Sequence, residues 1–100
     1  MTNPSFVLPA QKNRITSNDI EKGYLRITVD FKHFFPETSQ DVSVFIDQSW
    51  KTVRFTYREN RSHLLHIGQT GMDELDLSAN DQVRIDVVGN SEYRISKITS

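Results

Sequence analysis

The middle of the chain carries a continuous run of polar and aromatic side chains, namely Tyr57, Arg58, Glu59, Asn60, Arg61, Ser62 and His63. Such side chains can read base edges in the major groove of DNA: arginine donates to guanine O6 and N7, asparagine pairs with adenine, and glutamate accepts from the cytosine amino group. The run lies between two segments with strand character, so we expect it at the tip of a hairpin. A polar hairpin tip without a function is the other interpretation of the same pattern.

A second cluster near the N-terminus mixes cations with short hydroxyl and amide side chains, and it contains Lys12, Asn13, Arg14, Thr16, Ser17, Asn18 and Asp19. We expect Ser17 or Asn18 to cap a short helix that ends at Gly23, with Glu21 as the reciprocal capping partner. The backbone N–H groups and partial positive charge at a helix start suit a phosphate group. A plain helix cap is the alternative, and the two interpretations are compatible.

The sequence lacks the residue combinations that catalysis or a metal site requires. It has no cysteine, which excludes thiolate ligands and cysteine nucleophiles. His63 and His66 are three residues apart on an expected strand, so their side chains should point to opposite faces. The glycines at 23, 68, 71 and 89 form no phosphate loop, and Asp73, Glu74 and Asp76 are better interpreted as solvated surface. We therefore expect no catalytic residue, metal or cofactor.

Charge is unevenly distributed along the chain, although the formal net charge is only −1 at pH 7. Residues 12–32 contain five basic residues against three acids, and residues 51–67 contain four against Glu59 alone. Residues 73–86 contain five acids against Arg84. We expect two faces of opposite sign, because net charge averages over the surface and a binding site does not. Ordinary solvated surface charge is the alternative interpretation.

The length of 100 residues and a composition of 36% hydrophobic and 25% charged residues predict one globular domain with a single core. We interpret residues 1–11 as a lead-in or linker that can pack as an extra edge strand, and residues 12–100 as the domain. No apolar run reaches the ~18 residues of a membrane span, and the first residues lack signal-peptide features. These observations and the lack of cysteine favour a cytoplasmic protein.

The elements that must position the two polar clusters are short strands. Alternation and β-branched or aromatic content predict seven of them, at 14–16, 24–29, 41–47, 50–57, 62–67, 82–88 and 92–98. Gly68 and Gly71 are expected to bracket a bend, and residues 72–75 to form one helical turn after it. Phe31, Phe34 and Phe35 should form an aromatic plug in the core. The pattern indicates an all-β barrel or sandwich with two short helices.

The order of these motifs resembles the plant "B-three" pseudobarrel domain and its relatives in EcoRII-, BfiI- and NgoAVII-type restriction enzymes. The resemblance covers residues 13–98 and is carried by residues 14–27, Lys32-His33-Phe34-Phe35-Pro36, residues 50–62, Leu64-Leu65-His66-Ile67-Gly68 and residues 80–85. It implies a seven-stranded open β-barrel that binds double-stranded DNA. Gly68-Gln69-Thr70-Gly71 stands where the plant domains usually have a tryptophan, so a bacterial restriction-enzyme recognition module fits better than a plant regulator.

The resemblance also implies that two projecting arms grip the major groove. The first arm would comprise Arg14, Thr16, Ser17, Asn18, Asp19, Lys22, Tyr24 and Arg26, and the second Tyr57, Arg58, Glu59, Asn60, Arg61, Ser62 and His63. We expect phosphate contacts from Lys12, Lys22, Arg26, Lys51 and Arg54, and base contacts from Arg58, Glu59, Asn60 and Arg61 with help from Asn18 and Asp19. A monomer would bind a short, asymmetric site, and a nuclease would lie in another domain or subunit.

Two other classes of function stay open at the sequence level. One is a single-stranded nucleic-acid-binding barrel with Tyr24, Trp50 and Tyr57 as stacking platforms. The other is a protein-interaction β-domain, which the net charge of −1 favours. An enzyme is the least supported class, because no catalytic set converges.

Overall fold

The computed structural model describes residues 4–8 and 14–98, which contain seven strands, two α-helices and a 3₁₀ helix. In chain order these are β1 (Ser5–Leu8), α1 (Ser17–Lys22), β2 (Leu25–Ile27), the 3₁₀ helix (Val29–Phe34), β3 (Gln40–Ile46), β4 (Ser49–Thr56), β5 (His63–His66), α2 (Gly68–Glu74), β6 (Val83–Gly89) and β7 (Glu92–Lys97).

All seven strands belong to one sheet with the order β1-β6-β7-β3-β4-β5-β2. Every neighbouring pair is antiparallel except β3 and β7, which run parallel. The sheet curls into a nearly closed barrel with one unsealed seam, which lies between the end strands β1 and β2. This architecture confirms the expected open barrel and excludes the two-sheet sandwich.

The barrel interior is filled by the residues that the two-residue period directs inward. On β3, Val42, Val44 and Ile46 are buried, while Ser43 and Phe45 between them are only half-buried. The other strands contribute in the same way, and the most deeply buried side chains of the sheet include Leu8, Ile27, Phe55, Leu65, Ile85 and Tyr93. Strand alternation therefore predicts which side chains form the core.

The predicted aromatic plug is confirmed, but it is built on a helix. Phe31 and Phe34 stack on Phe6 of β1, with ring centroids 4.6 and 5.0 Å away. Phe35 stacks on Tyr93 at 4.5 Å, and the Tyr93 hydroxyl donates to the Phe34 carbonyl at 2.8 Å. Burial raises the pKa of Tyr93 to about 12. The 3₁₀ helix was not predicted, and it shortens the strand expected at 24–29 to the three residues of β2.

The strand predicted at 14–16 is wrong. These residues are irregular, and Ile15 is held by two backbone hydrogen bonds, from its N–H to Asp81 (3.1 Å) and from the Asn80 N–H to its carbonyl (2.7 Å). The seventh strand is β1, which pairs with β6 from Ser5 to Leu8. Part of the expected lead-in thus forms an edge strand of the barrel.

The bend expected between Gly68 and Gly71 is also wrong, because both residues belong to α2. A Cβ atom on Gly71 would lie 2.9 Å from the Ile67 Cβ, so the helix packs there only with glycine. The Gly68 N–H donates to the Gly23 carbonyl at 2.8 Å and joins α2 to the end of α1. Within the described ranges, no helix has the length and apolar character needed to cross a bilayer.

Candidate nucleic-acid interface

A capping box shapes the start of the first arm. Thr16, at φ −94° and ψ 160°, is the N-cap of α1, and its hydroxyl accepts from the Asp19 N–H at 3.1 Å. The Asp19 carboxylate accepts from the Thr16 N–H at 3.1 Å. The predicted caps, Ser17 or Asn18 with Glu21, are therefore wrong by one or two residues. Because Asp19 places its own negative charge at this helix start, the arrangement does not favour an external phosphate there.

The same carboxylate holds Arg26. The Arg26 Nε lies 3.1 Å from Asp19 Oδ1, and a terminal nitrogen donates to Oδ2 at 3.2 Å. The Asp19 side chain is 5% exposed, whereas that of Arg26 is 45% exposed. A bidentate pair fixes the planar guanidinium and leaves further N–H donors free to meet a ligand. Asp19 faces inward and supports Arg26, which faces outward as expected from β2.

The second arm is the loop between β4 and β5, and it is held together by its own hydrogen bonds. The Arg58 Nε donates to the Ser62 carbonyl at 2.7 Å, and the Arg58 N–H donates to His63 Nδ1 at 3.1 Å. Asn60 turns the chain at φ 59°, a left-handed conformation that asparagine tolerates better than most residues. Glu59, Asn60 and Arg61 are exposed at the tip, where they can meet a ligand.

His63 lies beneath the arm. It is buried, with its ring 4.6 Å from Tyr57 and 5.4 Å from Phe55. Burial lowers its pKa, and the positive charges of Lys32 and Arg58 lower it further. A neutral imidazole can accept the Arg58 N–H, so this environment keeps His63 in the state that the arm needs.

The two arms border a common concavity. β2 pairs with β5, and Ile27 lies opposite His63 at the base of the second arm. Beside this ladder is a cavity of about 240 Å³, here named the seam cavity, which is lined by Leu8, Arg14, Ile15, Thr16, Asp19, Leu25, Arg26, Thr28 and Ser62. The lining includes four residues of the first predicted arm, Ser62 of the second, and Leu8 and Leu25 from the two strands at the open seam.

A second concavity, the tip groove, lies beside the second arm. Its volume is about 370 Å³, and its lining residues are Lys32, Pro36, Glu37, Tyr57, Arg58, Glu59, Asn60 and His63. Lys32 comes from the 3₁₀ helix and was not assigned to an arm. Lys32 belongs to the basic segment 12–32, and this was the sequence signal that could have identified it. Its position beside the tip, however, depends on the 3₁₀ helix, which the strand pattern did not predict.

The remaining first-arm residues lie around α1. Ser17, Asn18 and Lys22 are exposed on the helix, whereas Tyr24 is half-buried with its ring edge-on to His66 at 6.0 Å. The Gln69 side chain, which sequence reasoning missed, donates to the Ile20 and Glu21 carbonyls at 2.8 Å and braces the end of α1 against α2. Lys12 lies outside the described residues.

Two predicted phosphate contacts, both on β4, are engaged elsewhere. The Lys51 ammonium is 2.8 Å from the Glu74 carboxylate of α2, and both side chains are 25% exposed. Arg54 lies 3.7 Å from Asp41 on β3, and both are well exposed. Neither Lys51 nor Arg54 is among the described residues that line the seam cavity or the tip groove. The structure therefore places neither cation on the lining of the two concavities, although Arg54 lies opposite His66 in the β4–β5 ladder and the His66 ring contacts Tyr24 of the first arm.

The three expected stacking platforms do not form a continuous surface. Trp50 is 53% exposed and packs edge-on against Phe45, whose ring also lies 5.8 Å from the Arg94 guanidinium. Trp50 and Tyr57 are seven residues apart along β4 and its extension, which corresponds to about 23 Å. Consecutive bases of a single-stranded nucleic acid could not stack on both the Trp50 and the Tyr57 rings. This spacing therefore disfavours the alternative of a single-stranded nucleic-acid-binding barrel.

Histidine positions give no shared metal site. His63 points into the barrel, whereas His66 is half-buried and its Nε2 is 2.9 Å from the Thr56 hydroxyl. Burial lowers the pKa of His66, as do the charges of Arg54 and Arg58. In the described part of the chain, no three His, Cys, Asp or Glu side chains form a group that could hold a metal ion.

A nearly closed seven-stranded barrel with one unsealed seam and few helices is the architecture of a B-three-like pseudobarrel, and this chain has that fold. No family model and no curated protein sequence matches the chain. The N-terminal domain of Helicobacter pylori LlaJI.R1 is similar in structure, with a TM-score of 0.70 at 11% identity over 95% of this chain and 80% of that one. The Arabidopsis FUS3–DNA complex gives a TM-score of 0.65 at 12% identity over 95% of this chain and 96% of that one. These matches confirm the predicted fold.

Proposed function

We propose that this domain binds double-stranded DNA sequence-specifically, with both arms in the major groove. The observation that carries the proposal is the seam cavity, because Ser62 of the second arm lines it together with Arg14 and Arg26 of the first. A concave site that presents arginine and short polar side chains suits phosphate and base contacts together. The similarity to a domain whose structure is a complex with DNA is consistent with this function.

Within this proposal, the exposed tip residues Glu59, Asn60 and Arg61 read bases, and Arg58 contributes the terminal nitrogens that its bond to Ser62 leaves free. Phosphate contacts come from Lys12, Arg14, Lys22 and Arg26. Thr16, Ser17, Asn18, Tyr24 and Ser62 complete the arms, and Asn18 is the base-reading residue of the first. Asp19, Tyr57 and His63 act as supports, since Asp19 and His63 are buried and Tyr57 packs on the His63 ring.

The biological setting that we propose is the target-recognition part of a bacterial restriction endonuclease in the cytoplasm. The sequence resemblance to restriction-enzyme recognition modules supports it, as does similarity to a domain that is itself the N-terminal part of a larger protein. The domain would act as a non-catalytic monomer, and the nuclease would lie in another domain or subunit.

Selection from a random duplex library tests the proposal. We expect enrichment of one short, asymmetric sequence, followed by tight binding of that duplex and weak binding of its separated strands in fluorescence anisotropy. Preference for the single strands would support the oligonucleotide-binding alternative. An absence of duplex binding even at low salt would refute DNA binding and favour a protein-interaction domain.

Substitutions in the two kinds of contact should have different effects on the selected duplex. Arg61→Ala should cost about 1–3 kcal/mol of binding free energy and relax specificity at one base pair, whereas Lys22→Ala should weaken all duplexes alike. Anisotropy titrations with the selected and a scrambled duplex measure both effects. Equal losses on the two duplexes for Arg61→Ala would contradict base reading by the second arm.

A further inference from the structure

The 3₁₀ helix Val29–Phe34 borders both concavities of the proposed interface. Its N-cap residue, Thr28, lines the seam cavity together with Ser62. Near its other end, Lys32 lines the tip groove together with Asn60. The helix therefore joins a residue of the seam cavity to a residue of the tip groove, which adds a third element beside the two arms.

The first residue of this helix, Val29, is unusually exposed. Its relative exposure is 76%, the highest of the large hydrophobic residues in the described part of the chain. Core packing does not require an apolar side chain here, because the helix is anchored two residues later by Phe31, which stacks on Phe6. Val29 thus presents methyl groups to solvent directly after Thr28, which lines the seam cavity.

An apolar side chain on a DNA-reading face has a specific chemical use. The C5-methyl group of thymine projects into the major groove, and apolar side chains recognise it by contact. Asp30, next to Val29, is exposed and negatively charged, so it would repel a phosphate group. The start of the helix is therefore better suited to base edges than to the DNA backbone.

We propose that Val29 packs against the C5-methyl group of a pyrimidine in the target duplex and selects for that methyl group. This inference rests on the proposed function and adds a specificity-determining residue from outside the two arms. Thymine and 5-methylcytosine carry the same group, and the experiment below separates them.

The experiment uses the duplex obtained by selection. Each thymine is replaced in turn by uracil, which lacks only the methyl group, and affinities are measured for the unaltered domain, Val29→Ala and the control Trp50→Ala. At one position, uracil should weaken binding by the unaltered domain about four-fold, the factor that corresponds to ~0.8 kcal/mol for one buried methyl group. Val29→Ala should bind the thymine duplex about as weakly as the unaltered domain binds the uracil duplex. Replacing that thymine by uracil should not weaken binding by Val29→Ala any further. Trp50→Ala, which changes an exposed apolar residue at the end of β4 opposite to the second arm, should behave like the unaltered domain.

A second series replaces each cytosine by 5-methylcytosine. A gain of affinity at one cytosine that disappears in Val29→Ala would identify 5-methylcytosine as the base, whereas an effect confined to thymine would identify thymine. If the selected duplex binds normally and neither series gives an effect that depends on Val29, the inference is wrong and the proposed function stands. If the unaltered domain binds no duplex, the proposed function itself fails.

Discussion

Asp19 connects helix capping to recognition through one buried carboxylate. It accepts the Thr16 N–H and also the two donors of Arg26. Because the carboxylate is almost fully shielded from solvent, an approaching phosphate would meet the Arg26 guanidinium before it met Asp19. Holding the guanidinium in one orientation reduces the conformational entropy that binding would otherwise cost.

Asp19→Asn tests this connection. An uncharged amide can still accept from the Thr16 N–H but should hold Arg26 less firmly, so we expect weaker binding of the selected duplex together with a loss of about 1 kcal/mol of folding stability. Gln69→Ala is the control, because it removes the side-chain hydrogen bonds that brace the end of α1 and retains the ion pair. Denaturation and anisotropy should show similar stability losses for both variants but a larger affinity loss for Asp19→Asn. Equal affinity losses would show that Asp19 acts only through helix stability.

Residue types in the sequence predict which side chains can meet DNA, but not how each is used. Arginine, asparagine and glutamate at 58–61 mark the second arm because a turn between strands exposes them. The inward direction of Asp19 depends on Thr16 being the N-cap, one or two residues before the predicted cap positions. The pairing of Lys51 with Glu74 required β4 and α2 to be adjacent, which no local pattern in the sequence encodes.

At the scale of elements, the second arm is held by bonds between its own ends. Arg58 reaches across to the Ser62 carbonyl, and its N–H is bonded to the buried His63 ring. The Tyr57 N–H is fixed by the Ser39 hydroxyl at 2.9 Å. These hydrogen bonds give the tip a defined shape in the absence of a ligand. Because the bond from the Arg58 N–H requires a neutral His63 ring, the conformation of the arm should depend on pH.

The pH prediction follows from the lowered pKa of His63. As the pH falls, His63 of the unfolded chain takes up a proton near the ordinary value of 6.5, whereas in the folded chain it does so only at a lower pH. The contribution of His63 to the free energy of unfolding should therefore be fully present above pH 6.5. It should fall as the pH drops through 6.5 toward the lowered folded pKa. His66, whose pKa is also lowered, contributes in the same direction. Denaturation experiments at pH values between 8 and 5 measure the sum of the His63 and His66 contributions.

His63→Gln and His66→Gln separate the two contributions. Each should flatten the pH dependence of stability in part, but only His63→Gln should disturb the second arm and reduce affinity for the selected duplex at pH 7.5. An unchanged pH dependence in His63→Gln would contradict the role of burial in keeping this ring neutral.

Strand alternation predicts six of the seven strands because one face of each is buried, as Val42, Val44 and Ile46 of β3 illustrate. The pattern fails where tertiary contacts decide the conformation. Val29–Phe34 has the composition of a strand continuation, yet Phe31 and Phe34 reach Phe6 only if the chain turns into a 3₁₀ helix. Ile15 alternates like a strand residue, but its backbone bonds are made with the loop before β6.

At the scale of the molecule, many of the acidic residues have basic partners nearby. Asp76 and Asp81 lie 3.8 and 3.6 Å from Lys97, and Asp86 lies 3.0 Å from Arg84. Together with the Glu74–Lys51 pair, these contacts engage much of the acidic segment 73–86 locally. The net charge of −1 therefore does not describe the concave face, where the basic residues of the arms lie beside the seam.

This distribution predicts how binding responds to salt. If Lys12, Arg14, Lys22 and Arg26 contact phosphates, the logarithm of the association constant should fall against the logarithm of salt concentration with a slope of about −3 to −4. Arg14→Ala should reduce the slope by about 1, because one fewer counterion is released. Lys51→Ala should leave it unchanged, since the ammonium is paired with Glu74 away from both concavities. A slope that decreases for Lys51→Ala and not for Arg14→Ala would move the phosphate path from the seam to the outer surface of β4, and the proposed docking face would be wrong.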